Sequence, residues 1–286
     1  MYPEALTHLR CPNCLDIPLT SAAGARLALD GAIIQGQLYC ERCRASYGIN
    51  HGIADLLGSR ALPDSPAQAT NYLPITAWGY ERLWRWYALT LLSGEAFAYD
   101  RELALVTALT APARGGLFVD LGCSNGLYAR ALTRKLPPDR SHVIGIDHSL
   151  PMLRQARTFA QHTRQRISFV RAKAQALPFA AGTVAGVPIG GSLNEIGDVG
   201  GCLNEVRRVL APSGRCVLMS LAQARSHAGR ALQTFLGLGG LMFWTDDTLN
   251  DLLQSHGLRL AAQWRYGIVV FSLLLQDNKH AIPVYQ

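Results

Sequence analysis

The chain has 286 residues, 49% hydrophobic and 16% charged, with 27 Gly and 14 Pro spread along it. That composition excludes collagen-like, disordered and disulfide-scaffold classes, and at ~150 residues per domain the length predicts about two domains. The net charge of +7 is confined to residues 130–175, where ten Lys or Arg face only Asp139 and Asp147. Such a stretch either attracts an anionic partner such as RNA or forms solvated helix faces. The longest apolar runs, Ile268 to Leu275 and Phe235 to Trp244, fall short of the ~20 residues a membrane span needs. The N-terminus lacks the apolar stretch of a secretory signal, so a soluble cytoplasmic or stromal protein is expected.

Four of the seven cysteines form two pairs, Cys11-Pro-Asn-Cys14 and Cys40-Glu-Arg-Cys43. A two-residue gap lets both thiolates of one knuckle reach a single tetrahedral zinc. The 25 residues between the pairs leave room for a hairpin, in which Leu27 to Ile34 is apolar-rich, Gly31 and Gly36 mark turns, and Gln37 to Tyr39 lead into the second knuckle. The alternative is a redox pair or unconnected thiols. Four thiolates fill the coordination shell, so Cys11, Cys14, Cys40 and Cys43 are expected to hold a structural Zn2+. Cys123, Cys202 and Cys216 are isolated and read as buried or incidental.

Residues 1–58 therefore read as a zinc ribbon. Residues 59–114 read as a linker, rich in proline from Ser59 to Pro74, with helices at Ala77 to Leu92 and Ala96 to Leu109 that cover the active site. From residue 115 to 286 short apolar strands alternate with helices, which predicts a parallel α/β sheet. Strands are expected at Leu117–Asp120, His142–Asp147, Ile167–Arg171, Thr183–Ile189, Arg215–Leu221, Arg259–Trp264 and Ile268–Leu275. Helices fit Gly126–Lys135, Leu150–His162, Val199–Leu210 and Asp246–His256. The fold class is α/β, a doubly wound seven-stranded Rossmann-like sheet with a small N-terminal ribbon.

The first strand of that sheet ends in Val119-Asp-Leu-Gly-Cys-Ser-Asn-Gly126, and a helix follows at once. Glycines there let the backbone turn sharply and approach a ligand, with the helix N-terminus behind it. The next strand ends in Asp147, where a carboxylate can accept both hydroxyls of a ribose. The spacing is wrong for the dinucleotide fingerprint, because Gly126 arrives one position early.

These residues resemble the class I S-adenosylmethionine-dependent methyltransferases, particularly the ubiquinone/menaquinone branch, over roughly Tyr72 to Leu275. Gly145-Ile-Asp-His-Ser-Leu-Pro-Met-Leu153 is similar to that family's second motif, Phe169 to Phe179 to its third, and Glu205 to Gly214 to the helix and turn before the fifth strand. The ribbon, with Gly52-Ile-Ala-Asp-Leu56 after it, resembles ribbons fused to rRNA guanine methyltransferases and to a plastid and cyanobacterial group; Tyr80-Glu-Arg-Leu-Trp-Arg85 is closer to the second. The resemblance implies that Asp120, Gly122, Ser124 and Gly126 surround the methionine part of S-adenosylmethionine. It further implies that Asp147 and its neighbour His148 take the ribose side, Lys173 and Ala174 flank the adenine, and Gly190 and Gly191 lie beside the sulfonium. Three positions depart from the family pattern. Ser124 replaces the middle glycine, Lys173 replaces an Asp that accepts from the adenine amino group, and Ala185 stands where the fourth strand has Asp. Pro188 also interrupts a strand that should be central.

Methyl transfer needs a base only if the acceptor loses a proton as it attacks. Asn194 and Glu195 follow the fourth strand, where the resemblance places substrate-facing catalytic residues; the alternative is a helix cap and a favourable dipole contact. Tyr80 and Tyr87 either close over the site or pack in the core, and Phe235 to Trp244 either lines an apolar pocket or packs likewise. The expected activity is S-adenosylmethionine-dependent methylation of a small-molecule acceptor, such as a quinone, a phenol or another apolar compound. One alternative is an rRNA guanine methyltransferase using the ribbon, although the ribbon's acidic and basic residues balance where a phosphate-gripping module is basic. A second, motivated by Lys173 and Ala185, is a non-catalytic binding protein of the same fold. No acceptor-specific motif appears, and the oligomeric state has no signature.

Overall fold

A computed structural model describes residues 1–277 except 16, 59–62, 64, 138 and 139, and except the side chains of Tyr80, Arg82, Trp84 and Trp86. The start of the expected linker and the last nine residues thus lie outside the described residues. The N-terminal part runs α1 (Pro3–Leu6), β1 (Thr20–Ser21), β2 (Arg26–Leu27), β3 (Ile33–Tyr39), β4 (Ser46–Asn50) and β5 (Ile53–Asp55). Then come α2 (Pro66–Thr70), α3 (Pro74–Gly79), a π-helical turn over Tyr80–Arg85, α4 (Trp86–Ser93) and α5 (Tyr99–Thr110). The rest alternates β6 (Gly116–Leu121), α6 (Leu127–Thr133), β7 (Ser141–Asp147), α7 (Leu150–His162), β8 (Ile167–Arg171), β9 (Val184–Gly190), α8 (Val199–Val209) and β10 (Leu210–Leu221). It closes with α9 (His227–Gly237), α10 (Asp246–Ser255), β11 (Leu258–Tyr266) and β12 (Val269–Gln276).

The last seven strands order as β8-β7-β6-β9-β10-β12-β11. The first five are parallel, and β12 and β11 close the far edge antiparallel. Every residue of β8 is buried, as expected of a strand covered on both faces. The helices form for local reasons. Ser149 Oγ accepts from the Met152 N–H to cap α7 and Pro151 fits its first turn, while Met152, Leu153, Ala156 and Ala160 make its buried stripe.

Several sequence expectations shift. Gly36 lies inside β3, paired with Ile49, and is not a turn. The tight turn falls instead at His51-Gly52, both at positive φ (49° and 72°), which suits a two-residue hairpin between β4 and β5. Strand β10 begins at Leu210, five residues early, with a register shift before Arg215 where Pro212 and Gly214 break the pairing. Helix α9 has no counterpart among the expected elements. Pro188 does sit in a central strand: β9 pairs with β10 from Gly186 to Gly190, but the ladder from β9 to β6 skips Pro188, whose missing N–H removes a ladder donor. No helix among the described residues is long and apolar enough to cross a membrane.

The ribbon does not hang from this sheet by a tether. Strand β5 pairs parallel with β8, Ile53 opposite Phe169 and Asp55 opposite Arg171, so the sheet runs on through β4, β3 and β1. Beyond β5 the Leu56 N–H donates to Arg171 O, and the Arg10 N–H donates to Pro178 O. Leu9, Leu38, Ile49, Ala54 and Leu56 belong to the same buried cluster as Val170, Leu177 and Phe179. Deleting buried methyl groups from such a shared core costs about 2–5 kcal/mol. All five Trp residues lie between residues 78 and 264, so tryptophan fluorescence reports only on the part after the ribbon. Leu38→Ala, within the ribbon and fully buried, is expected to lower the fluorescence-detected melting temperature in a single transition. An unmoved fluorescence melt would show the two parts to be independent.

Candidate functional site

Parallel strands leave their C-terminal ends at one rim, and the chain winds away from β6 in both directions, to β7 on one side and β9 on the other. A crevice opens at such a switch point. Two cavities occupy it and meet at Gly122. One is lined by Asp120, Ser124, Asn125, Tyr128, Arg85 and Gly190. The other is lined by Asp147, His148, Lys173, Ala174, Glu195 and Gln68, with Ser192 at the junction. The crevice depends on two missing side chains. A Cβ at Gly122 would strike Ser192, and one at Gly190 would come within 2.8 Å of the Tyr128 ring.

Asp147 organises the rim. Its Oδ2 accepts from the Ser124 N–H at 2.8 Å and its Oδ1 from the Ser149 N–H at 2.8 Å, which ties the loop after β6 to the start of α7. Asp120 lies deeper, with Oδ2 accepting from the Ala129 N–H at 2.7 Å. Burial pushes its carboxyl up to about 7, with the Asp147 charge adding to the effect. Gly126 begins α6 at φ 75°, and Ser124 takes φ 49°, left-handed backbone that the family's glycine would adopt without strain. Asn125 is fully buried, and neither atom of its amide has a partner among the described residues. An orphaned donor and acceptor facing a cavity fits an amino-acid-like ligand there.

The expected pair Asn194 and Glu195 separates. Asn194 does not line the cavity. Its Nδ2 donates to Leu221 O (2.8 Å) and to Met242 O, and its Oδ1 accepts from the Leu221 N–H (2.8 Å). With both amide N–H donors spent on latching the end of β10 to residue 242, Asn194 positions the rim. Glu195 does face the cavity, half-buried, with one oxygen accepting from Asn71 Nδ2 at 3.1 Å. Burial pushes its carboxyl up to about 7, against the pull of Asn71 and with the help of the Asp147 charge. His148 Nδ1 lies 3.0 Å from the Tyr72 hydroxyl. Lys173 stands at the cavity wall, and Ala185 is in β9, where a Cβ on Gly116 would touch it.

Residues 118–214 match the methyltransferase domain family. The match to a methyltransferase domain covers 97 of the 286 residues. Two chloroplastic methyltransferases of Arabidopsis thaliana, both described as uncharacterized, are 29% identical to it. The first aligns over 152 residues (51% of this chain, 41% of the relative) and the second over 163 (53% and 43%). The alignments span about two fifths of each relative's length. Among solved structures, the [4+2]-cyclase SpnF superposes with a TM-score of 0.54 at 17% identity, covering 75% of this chain and 96% of that one. The geranyl diphosphate C-methyltransferase of Streptomyces coelicolor, solved with S-adenosylhomocysteine, gives 0.53 at 14% identity, covering 63% and 76%. These identities speak for the fold alone.

The crevice also gathers residues that no local pattern joins. Arg85 pairs with Glu102, which is fully buried, and Tyr128 donates to the same carboxylate. Arg85, Glu102 and Tyr128 come from three separate elements, so only the Arg85 motif Tyr80–Arg85 was visible in advance. Arg171 links the ribbon to the cavity wall: its Nη1 donates to Asp55 Oδ2 (3.0 Å) and its Nε to His148 O (2.9 Å). The basic stretch of residues 130–175 is partly neutralised in this way, with Arg130, Arg166 and Arg171 ion-paired to Glu81, Glu4 and Asp55. Tyr87 faces solvent and not the site, and the Tyr80 side chain lies outside the described residues. Phe235 is 69% exposed, whereas Met242 and Trp244 pack on the main core, so the apolar run from Phe235 to Trp244 does not act as a pocket wall.

The four thiols of Cys11, Cys14, Cys40 and Cys43 lie within 4.8 Å of one another. The Sγ distances of 3.6 Å (Cys11 to Cys43) and 3.9 Å (Cys14 to Cys40) match the edge of about 3.8 Å expected for four sulfurs at ~2.3 Å from a tetrahedral zinc. The Tyr47 hydroxyl lies 3.4 Å from Cys11 Sγ, an outer contact of the kind that orients a metal ligand.

Two outcomes test this geometry. Ser124→Gly relieves a left-handed non-glycine residue and is expected to raise unfolding free energy by about 0.5–1 kcal/mol; a denaturant titration that shows no gain would contradict the strain. Glu195 holds its proton up to about 7 in the folded state but only to about 4.5 unfolded, so the native state binds that proton more tightly. Its contribution is complete below pH 4.5 and is lost as pH rises through 7. Relative to wild type, Glu195→Gln is expected to gain about 1–2 kcal/mol between pH 5 and 8, measured by melts across that range. A constant difference would mean that Glu195 is ionised like a solvated carboxylate.

Proposed function

We propose that the chain is an S-adenosylmethionine-dependent methyltransferase acting on a small apolar acceptor, such as a quinone or phenol, with Glu195 as the base. The observation that carries this reading is Glu195 itself, a carboxyl raised to about 7 that shares one cavity wall with Asp147. A base acts best when its pKa lies near the working pH. When bound, S-adenosylmethionine supplies a methyl group activated by positive sulfur. The protein's part is to bind, align and exclude water.

In this reading Asp147 accepts from the ribose hydroxyls, and Asp120, Gly122, Ser124, Asn125 and Gly126 surround the methionine part. His148 and Ala174 flank the nucleoside, and Gly190 clears space beside the sulfonium. Lys173 has only donors, so it serves ring nitrogens of the adenine rather than its amino group. Glu195 takes the proton that a phenol or activated carbon loses. Asn194 acts by fixing the rim. The three parts divide at residues 58 and 114, with Zn2+ on the four cysteines as a structural support for the first. The ion pairs that spend part of the basic stretch, and the ribbon's balanced charge, favour a small molecule over rRNA.

Calorimetric titration of the purified chain with S-adenosylmethionine and S-adenosylhomocysteine tests the reading. Micromolar affinity is expected, weakened at least about tenfold by Asp147→Ala. Glu195→Gln should keep S-adenosylhomocysteine affinity within about threefold while lowering kcat toward phenols and quinones by about 10²-fold or more. The absence of any heat at hundreds of micromolar ligand, with the fold intact by circular dichroism, would sink the proposal.

A further inference from the structure

Of the fourteen large apolar side chains that stand exposed among the described residues, ten lie on two segments, 73–91 and 232–238. Soluble surfaces scatter such residues singly; a concentration of this kind marks a place where something apolar binds. Helix α9 is the sharper case, because its polarity is inverted. The one buried residue of its eleven is Gln233, whose amide bonds Ala224 N (2.7 Å) and Ala222 O (3.0 Å). The opposite, outward face carries Ala228, Ala231, Leu232, Phe235 and, just past the helix, Leu238, all exposed. This is the i, i+3, i+4, i+7 stripe of a helix built to bury an apolar face, yet it points away from the protein.

A second set, Leu83, Tyr87 and Leu91, repeats every fourth residue along the π-turn and α4, 65–73% exposed, and Ile268 joins the end of α4 to the segment before α9, its N–H donating to Leu92 O and its O accepting from the Ala222 N–H. Arg85, within residues 73–91, lines one cavity of the crevice. The Ala67 N–H donates to Gly239 O, joining the end of the α9 segment to α2, which sends Gln68 into the cavity. At the other end of α9 stand Arg225, His227 and Arg230. Arg230 bonds Arg225 O and approaches His227, and neither arginine is ion-paired to an acid among the described residues.

We propose that α9 and the exposed face of residues 73–91 form an interfacial membrane-binding surface that docks the crevice onto an anionic lipid bilayer. An apolar stripe flanked by cationic residues, together with exposed Trp78 and Tyr87 within residues 73–91, has the chemistry of a surface that lies in the headgroup plane. The cations favour anionic lipid over a second copy of the chain, whose matching surface would bring the same arginines together. An apolar acceptor dissolved in the bilayer then reaches the crevice without crossing water. The inference does not depend on the methyl-transfer reading, because docking is measured with no acceptor or cofactor present.

The test is flotation of the full chain with phosphatidylcholine vesicles, with and without about 30% phosphatidylglycerol. Wild type is expected to float with the anionic vesicles and several-fold less with neutral ones. The triple variant Leu232→Glu, Phe235→Glu, Leu238→Glu should lose partitioning at least about tenfold, and Arg225→Glu with Arg230→Glu several-fold on anionic vesicles only. The substituted side chains are exposed, so an unchanged melting temperature is the control for folding. Absence of flotation by the wild type, equal flotation of wild type and triple variant, or a solution dimer that the triple variant converts to monomer would each overturn the inference.

Discussion

Carboxylates at the ends of buried parallel strands are the constraint around which the site is arranged. Asp120 and Asp147 cannot be stranded away from water without partners, and the chain supplies them as backbone N–H groups. Ala129 serves Asp120, and Ser124 and Ser149 serve Asp147. Those bonds fix the loop after β6, and the fixed loop shapes both cavities. The same logic extends outward: Arg85 and Tyr128 satisfy Glu102, Asn71 serves Glu195, and Asn194 closes the rim with three backbone bonds. The N-terminal helices are thereby joined to the crevice by polar contacts, and their outer surface is left apolar.

Fold and function separate at this point. SpnF shares the architecture and is described as a [4+2]-cyclase, so the architecture does not specify a reaction. The reaction is then a matter of local features: a carboxyl raised by burial at Glu195, an orphaned amide at Asn125, and Lys173 where the resemblance leads one to expect an acid.

Much of this was legible before any coordinates. Parallel strands buried on both faces are continuous apolar runs, and α7 spans Leu150–His162 as the sequence predicts, its capping serine, proline and apolar stripe all in agreement. The four cysteines were legible because thiolate spacing is set by the metal. Other features were hidden for stated reasons. The stripe of helix α9 stands at helical spacing in the sequence, but nothing in the sequence says that it faces outward. Arg85, Glu102 and Tyr128 meet only in the tertiary fold. Asn194 and Glu195 are neighbours in sequence, yet the short 3₁₀ turn at Ser192–Asn194 aims them at different partners. Gly36 looked like a turn because its residue type permits one, but its neighbours have strand character and hold it in β3.

The seam between ribbon and domain is only three paired residues long. Between two separate chains, three paired residues of backbone would by themselves hold weakly against the freedom lost on association. Carried on one chain, the same strands meet at an effective concentration in the millimolar range for short links. Their stoichiometry is fixed at one to one, and the edge of β8 is never offered to a stranger's strand. Covalent linkage thus makes permanent a seam whose strand pairing is short.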